Sequence, residues 1–209
     1  MSKKVAPFSA SPAASLYATD GGRKYLNAAE RRRAIAAIKE LPGRKALFAL
    51  VLVWSGARVS EVLALTPASF QVESGIVAIR TLKRRRFVVR EVPLPPRLMR
   101  ALDLEFDLTT AQQEPDLVLV RLWPWHRTTA WRLIKKVMTK ARLSGRAACP
   151  RGLRHAFGVG TLQSGVPLNL VQRWLGHARM TTTAIYAGAI GPEERELARR
   201  FWEHGDTAR

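Results

Sequence analysis

Residues 45–65 read KALFALVLVWSGARVSEVLAL. Every residue from Ala46 to Trp54 is apolar, so a helix here has no polar face and belongs at the centre of a domain. The run is half of what a bilayer crossing needs, which excludes a membrane span. Ser55-Gly56 then breaks the helix, and Arg58 follows, with Glu61 three residues on in a short helix that ends by Leu65. An Arg-x-x-Glu pair on a helix is ordinarily an exposed ion pair worth little. Directly after the most buried helix of the chain it points instead to function.

Outward from this centre the chain reads as one mainly α domain with a small antiparallel β-sheet, an α+β fold. Upstream, Asn27 is an N-cap with Glu30 three residues later, and Ala34, Ile35, Ile38 and Leu41 keep helical spacing until Pro42-Gly43. Residues 1–22 carry Pro7, Pro12, four serines and Gly21-Gly22 without period, and read as a flexible arm, with structure starting near Tyr25. They lack the continuous apolar stretch of a signal peptide, which points to the cytosol.

Downstream, Gly75 to Thr81 and Phe87 to Leu94 are β-branched runs separated by a basic turn, a hairpin closed by Pro93, Pro95 and Pro96. The stretch from Asp103 to Asp116 is acidic and unpatterned and reads as a loop. From Arg127 to Arg142 an amphipathic helix sets Ala130, Ile134, Val137 and Ala141 on one stripe and Arg132, Lys135, Lys136 and Lys140 round the other side. Helices follow over Leu153–Ser164, Pro167–Leu175 and about Thr181–Ala187. A last one runs from Pro192 to about His204, proline-led and with Glu193, Glu194 and Glu196 in its first turns.

Charge narrows the class of partner. Thirty-five Lys and Arg against 16 Asp and Glu leave a formal charge of +19, far beyond what solubility requires. From Leu117 to Pro192, 76 residues contain no carboxylate and twelve Lys or Arg. Such a segment suits nucleic-acid phosphate first and an anionic membrane surface second. It cannot hold Mg²⁺ for a nuclease, since that ion needs oxygen ligands. The single Cys149 excludes an internal disulfide and reads as a small core residue.

The common enzyme templates are missing: no G-x-S-x-G, no Walker loop, no G-x-G-x-x-G and no zinc-spaced His or Cys pairs. What remains is cationic. Arg58 stands in WSGARVSEVLAL, Lys83 in TLKRRR, Arg151 and Arg154 in PRGLRHAFG, His177 in VQRWLGH and Tyr186 in TTTAIYAG. In this order and spacing they resemble the tyrosine recombinases, or phage integrases, over about 180 residues from Tyr25 onward. Gly56-Ala57-Arg58-Val59-Ser60-Glu61 is similar to that family's first arginine box, with Glu61 supporting Arg58. Leu153-Arg154-His155-x-Phe157 is similar to its second, and Leu175-Gly176-His177 with a tyrosine nine residues later to its closing motif.

The resemblance implies the catalytic domain over 23–190, as in short invertase-like members without the N-terminal core-binding domain. Residues 191–209 would be a tail exchanged between protomers, seated in cis as the alternative. It implies an enzyme that cuts and rejoins double-stranded DNA through a 3′-phosphotyrosine, without metal, cofactor or ATP, in a homo-oligomer that is a tetramer in the synapse. Tyr186 would be the nucleophile. Arg58 and Arg154, with Arg151 and His177, would hold the phosphoryl oxygens. Fixed cations there stabilise the more negative pentacovalent state. Lys83 would protonate the leaving 5′ oxygen, while Arg84, Arg85, Arg86, Arg127, Arg132, Lys135, Lys136 and Lys140 would contact the duplex.

The chain departs from the family where Arg151 replaces the usual histidine. A guanidinium can bond a phosphoryl oxygen but cannot shuttle a proton near neutral pH. Two other readings follow: a weakened DNA- or junction-binding partner of a full-length recombinase, and a relaxing enzyme like the type IB topoisomerases. His155, Trp123, Trp125, Trp131 and Trp174 read mainly as packing residues.

Overall fold

The computed structural model describes residues 15–82 and 88–187, with Arg199 and Trp202 beyond them. Lys83, Arg84, Arg85 and Arg86 therefore lie outside the described residues, as does most of the expected C-terminal helix. Arg199 and Trp202 are themselves helical.

The apolar segment is a central helix. Around α2 (Gly43–Ser55) pack α1 (Ala28–Lys39), α3 (Val59–Val62), α4 (Pro96–Phe106) and α7 (Pro150–Gln163). Leu47, Phe48, Ala49, Val51, Leu52 and Val53 are all buried, as a helix with no polar face requires. Helix α1 starts on the expected capping box, with Glu30 N–H donating to Asn27 Oδ1 and Asn27 N–H to Glu30 Oε2, both at 2.8 Å. Helix α6 (Arg127–Lys140) buries Ala130, Ile134 and Val137, and its stripe ends on buried Ala141.

The hairpin is β2 (Ile76–Arg80) against β3 (Val89–Pro93), antiparallel in the register Val77↔Val92 and Ile79↔Arg90. A short β1 (Phe70–Gln71) extends it to a sheet of order β1-β2-β3. Val77, Ile79 and Val92 point inward, and so does Arg90, only 4% exposed. The sheet thus presents a buried guanidinium where alternation leads one to expect a valine.

Two expectations fail for identifiable reasons. The stretch 103–116 is a loop only past Ala111, because Pro96 does not close the hairpin but starts α4 at a position where its missing N–H costs nothing. Leu98, Met99 and Leu102 are its buried face, and α5 (Leu108–Ala111) follows after Asp107 in the left-handed region. Asp103 accepts from Thr109 N–H at 2.9 Å and Thr109 Oγ1 at 3.0 Å, so its charge caps the next helix. At the N-terminus, residues 15–22 are not a free arm. Leu16 is buried in the core, Lys24 N–H donates to its carbonyl at 2.8 Å, and Tyr17 bridges to Arg23. Gly21, at φ +76°, makes a turn rather than a loose joint.

Candidate active site

Four chain segments converge on one point. The first is the end of α2. Gly56 closes that helix at φ +62°, and a Cβ there would run into the Phe157 ring on α7. Only glycine satisfies both demands, and it delivers Arg58 to the start of α3. Glu61 then folds back on it, accepting from Arg58 N–H at 2.9 Å and Arg58 Nη1 at 2.8 Å.

Glu61 is itself buried, and its other cation is Arg90, whose Nη2 donates to Oε2 at 2.6 Å. Arg90 also donates from Nε to the Trp174 carbonyl at 2.7 Å and from Nη1 to Thr81 Oγ1 at 3.0 Å. One guanidinium thereby joins the sheet, the Arg58 segment and the end of α8 (Leu168–Leu175). Burial raises the Glu61 carboxyl's pKa, but Arg90 and Arg58 more than offset this and leave it below its ordinary value. Charge alone marks Arg90 as one more basic residue; its inward place in the β2–β3 alternation is the signal that sets it apart.

The second segment is α7. Its Arg154 is 7% exposed, with Nη1 donating to the Gly56 carbonyl and Nη2 to the Leu175 carbonyl, each at 2.6 Å. These carbonyls end α2 and α8, where a helix concentrates partial negative charge. Burial and then neighbouring Arg58 lower the guanidinium's pKa. Arg151 is exposed on the first turn of the same helix.

The third and fourth segments follow α8. Gly176 caps that helix, and His177 turns its Nδ1 to Thr183 Oγ1 at 3.0 Å, on α9 (Thr181–Ala184). Two residues past α9, Tyr186 is 2% exposed. Its ring lies parallel to the His177 ring, centroids 6.1 Å apart and planes 9° apart. Its hydroxyl is 3.1 Å from His155 Nδ1. Burial raises the phenol's pKa, although Arg154, Arg151 and Arg58 each pull it down. Burial, then Arg154 and Arg58, hold the His177 imidazole down at about 3, so it is neutral at pH 7. Cations around a buried phenol, with a ring stacked on it, form a pocket suited to a phosphoryl group and an oxygen nucleophile.

Arg58, Glu61, Arg151, Arg154, His177 and Tyr186 therefore lie together around this pocket. The face of α6 is more divided. Arg127, Arg132 and Lys136 are exposed, whereas Lys135 Nζ donates to the Ala148 carbonyl at 2.9 Å and Lys140 pairs with Glu40 at 2.6 Å. Trp123 is core, Trp125 and Trp174 are half-buried, and Trp131 is 48% exposed. Cys149 is half-buried and precedes α7 rather than filling the core.

The sequence matches the model of the phage integrase family over residues 24–190. The chain belongs to that family. Within it, tyrosine recombinase XerA of Thermococcus onnurineus is 30% identical over 171 residues, spanning 78% of this chain and 57% of that protein. Tyrosine recombinase XerD of Haemophilus influenzae is 30% identical over 169 residues, 74% of this chain and 53% of that protein. The chain spans a little over half the length of these relatives. Among solved structures, XerA recombinase superposes with a TM-score of 0.69 at 26% identity, over 85% of this chain and 64% of that one. The catalytic domain of bacteriophage HP1 integrase, at 20% identity and a TM-score of 0.60, covers 85% of this chain and 94% of its own. This phage integrase family member thus has the family's mainly helical fold with a small antiparallel sheet. Among its described residues, no helix is long and apolar enough to cross a membrane.

Proposed function

We propose that this chain is the catalytic part of a tyrosine-type site-specific DNA recombinase, with a catalytic domain that runs to residue 190 and takes in the packed segment 15–22, and with 191–209 as a tail passed between protomers of a synaptic tetramer. The observation that carries the reading is the convergence of Arg58, Arg154, His177 and Tyr186 from four separate segments, with the tyrosine hydroxyl inside the field of three guanidinium groups. Two of the most similar family members, XerA and XerD, are named tyrosine recombinases, and XerH recombinase, a structural neighbour, was solved bound to its difH substrate.

In this reading a scissile phosphate enters beside Arg58 and Arg151. Tyr186 Oη attacks phosphorus, and the 3′ side of the strand becomes esterified to the tyrosine. The leaving 5′ oxygen takes a proton from Lys83. The cations stabilise the extra negative charge of the transition state, and Glu61, held by Arg90, keeps the Arg58 fork in place. Because the phosphotyrosine retains the energy of the original bond, a 5′ hydroxyl of a partner strand can reverse the step. Arg84, Arg85, Arg86, Arg127, Arg132 and Lys136 would follow the duplex backbone, and the work would take place in the cytosol.

The test is a nicked suicide duplex carrying the target site. Wild-type protein forms a covalent adduct, and Tyr186→Phe forms none while binding DNA as before. An adduct from the Phe variant overturns the assignment. Adduct formation without joining to a partner strand would point to a relaxing enzyme, and binding without any adduct to a DNA-binding partner.

A further inference from the structure

Arg151 occupies the place of the family's usual histidine, which raises the question of which group takes the proton when Tyr186 becomes a nucleophile. A guanidinium cannot take it, so Arg58, Arg151 and Arg154 are excluded. Glu61 is engaged by Arg58 and Arg90. His177 lies parallel to the tyrosine ring with centroids 6.1 Å apart and spends Nδ1 on Thr183, and the hydroxyl's hydrogen bond goes to another residue. Among the described residues, one basic atom touches the phenolic oxygen: Nδ1 of His155, at 3.1 Å.

We propose that His155 is the proton acceptor and positioning partner of Tyr186, a role that rests on the recombinase reading above. Both partners of this hydrogen bond are buried, His155 at 8% exposure and Tyr186 at 2%. The other ring nitrogen, Nε2, is buried with no hydrogen-bond partner, the one such side-chain nitrogen or oxygen among the described residues. The Tyr186 hydroxyl and Nδ1 share one hydrogen bond whose direction follows from the tautomer of the ring. The proposal requires the tautomer with Nε2–H and bare Nδ1, in which the phenol donates and Nδ1 is free to take its proton.

The charged and titratable groups facing His155 are Arg151 and Arg154 on its own helix, Lys24 from the N-terminal segment, and His177 and Tyr186 beyond α8. Burial first, then Arg151, Arg154 and Lys24, hold the imidazole down at about 4, so it is neutral at pH 7. In the free protein it is a weak base. Arg151 and Arg154 are among the cations that a DNA phosphate would neutralise, so an arriving duplex relieves the repulsion of an imidazolium and strengthens the base when it is needed. The step balances: the phenolic O–H bond breaks with its proton passing to Nδ1, the Oη–P bond forms, and the P–O5′ bond breaks with the 5′ oxygen protonated by a separate acid. Religation returns the Nδ1 proton to Tyr186.

The experiment is single-turnover cleavage of the suicide duplex by wild type and by His155→Asn and His155→Leu, between about pH 5 and 8, with folding checked by thermal melts. The Asn Oδ1 can take the place of Nδ1 and keep the hydrogen bond while losing its basicity. Cleavage by the Asn variant is expected to slow tenfold or more and to lose the wild-type decline at acid pH. A 5′-bridging sulfur, which leaves without a proton, is expected to give it no rescue. Wild-type rates in the Asn variant, or rescue by sulfur, overturn the proposal. Nitrogen NMR of the imidazole in the uncleaved protein gives a readout independent of activity: bare Nδ1 with protonated Nε2 at pH 7 supports it, and protonated Nδ1 overturns it even if cleavage is never observed. Failure of the recombinase reading would show differently, as no adduct from wild type with the histidine–tyrosine hydrogen bond intact.

Discussion

Gly158 sets how closely the tyrosine can approach α7. A Cβ at this position would stand 2.7 Å from Tyr186 Cζ and 2.8 Å from both Cε atoms, too near for any contact. Gly158→Ala must therefore push the ring away from His155 and off the face of His177. A displacement of about 1 Å in a reacting group is worth roughly a hundredfold in rate, and overpacking costs about 1–3 kcal/mol. Both losses are expected together, in single-turnover cleavage and in urea unfolding. A rate near wild type would mean that Tyr186 leaves this pocket before it reacts. At this scale Arg58, Arg154, His177 and Tyr186 were legible because each stands in a local motif. Arg90 and His155 were not: the partners that define them, Glu61 and Tyr186, are 29 and 31 residues away in sequence, and no local pattern encodes such a meeting.

Among the elements, α6 divides its cations between two tasks. Lys136 and Arg132 are exposed, while Lys135 holds the Ala148 carbonyl that precedes α7. Replacing Lys136 or Arg132 by alanine should weaken duplex binding and reduce the slope of log K against log salt by about 0.9 for each phosphate that is no longer neutralised. Lys135→Ala should leave that slope nearly unchanged and lower thermal stability instead. Fluorescence anisotropy across a salt series distinguishes them, and a wild-type slope in all three variants would remove α6 from the interface. The helix itself was legible from its stripe, since Ala130, Ile134 and Val137 repeat at helical spacing. Helix α4 was concealed by two prolines that look like breakers, although Pro96 is a starter. The segment 15–22 was concealed because a single leucine, Leu16, anchors it, and one apolar residue makes no period.

For the whole molecule, two buried neutral imidazoles make stability depend on pH. His155 and His177 are pushed from an ordinary 6.5 down to about 4 and about 3. Unfolded chains take up these protons near pH 6.5 and the folded protein does so only well below, so the unfolded state binds more protons in between. Stability is therefore complete above about pH 6.5 and is lost as the pH falls through that window. Glu61, whose pKa is lowered, adds its own loss below the usual carboxylate range. The urea midpoint should drop between about pH 7 and 5, and the double variant His155→Asn, His177→Asn should flatten the drop. An equal slope in the double variant would place these histidines in water. The mainly helical class and the small sheet followed from hydrophobic period and β-branched runs, while the meeting of four segments depended on contacts that only the folded chain makes.

Arg154 binds the last carbonyl before the Arg58 segment and the last carbonyl of α8 with a single planar group. If the recombinase reading holds, a version meant to be inert on DNA should not be made at that residue, since its loss would release two helix ends at once and confuse lost cutting with a collapsed fold. Tyr186→Phe gives up one hydroxyl and keeps the ring that His177 stacks upon, which makes it the cleaner tool for crystallography or imaging of a stalled assembly. The same double duty makes Arg154 a poor site for drift. The arginine therefore serves the fold whether or not the chain cuts DNA.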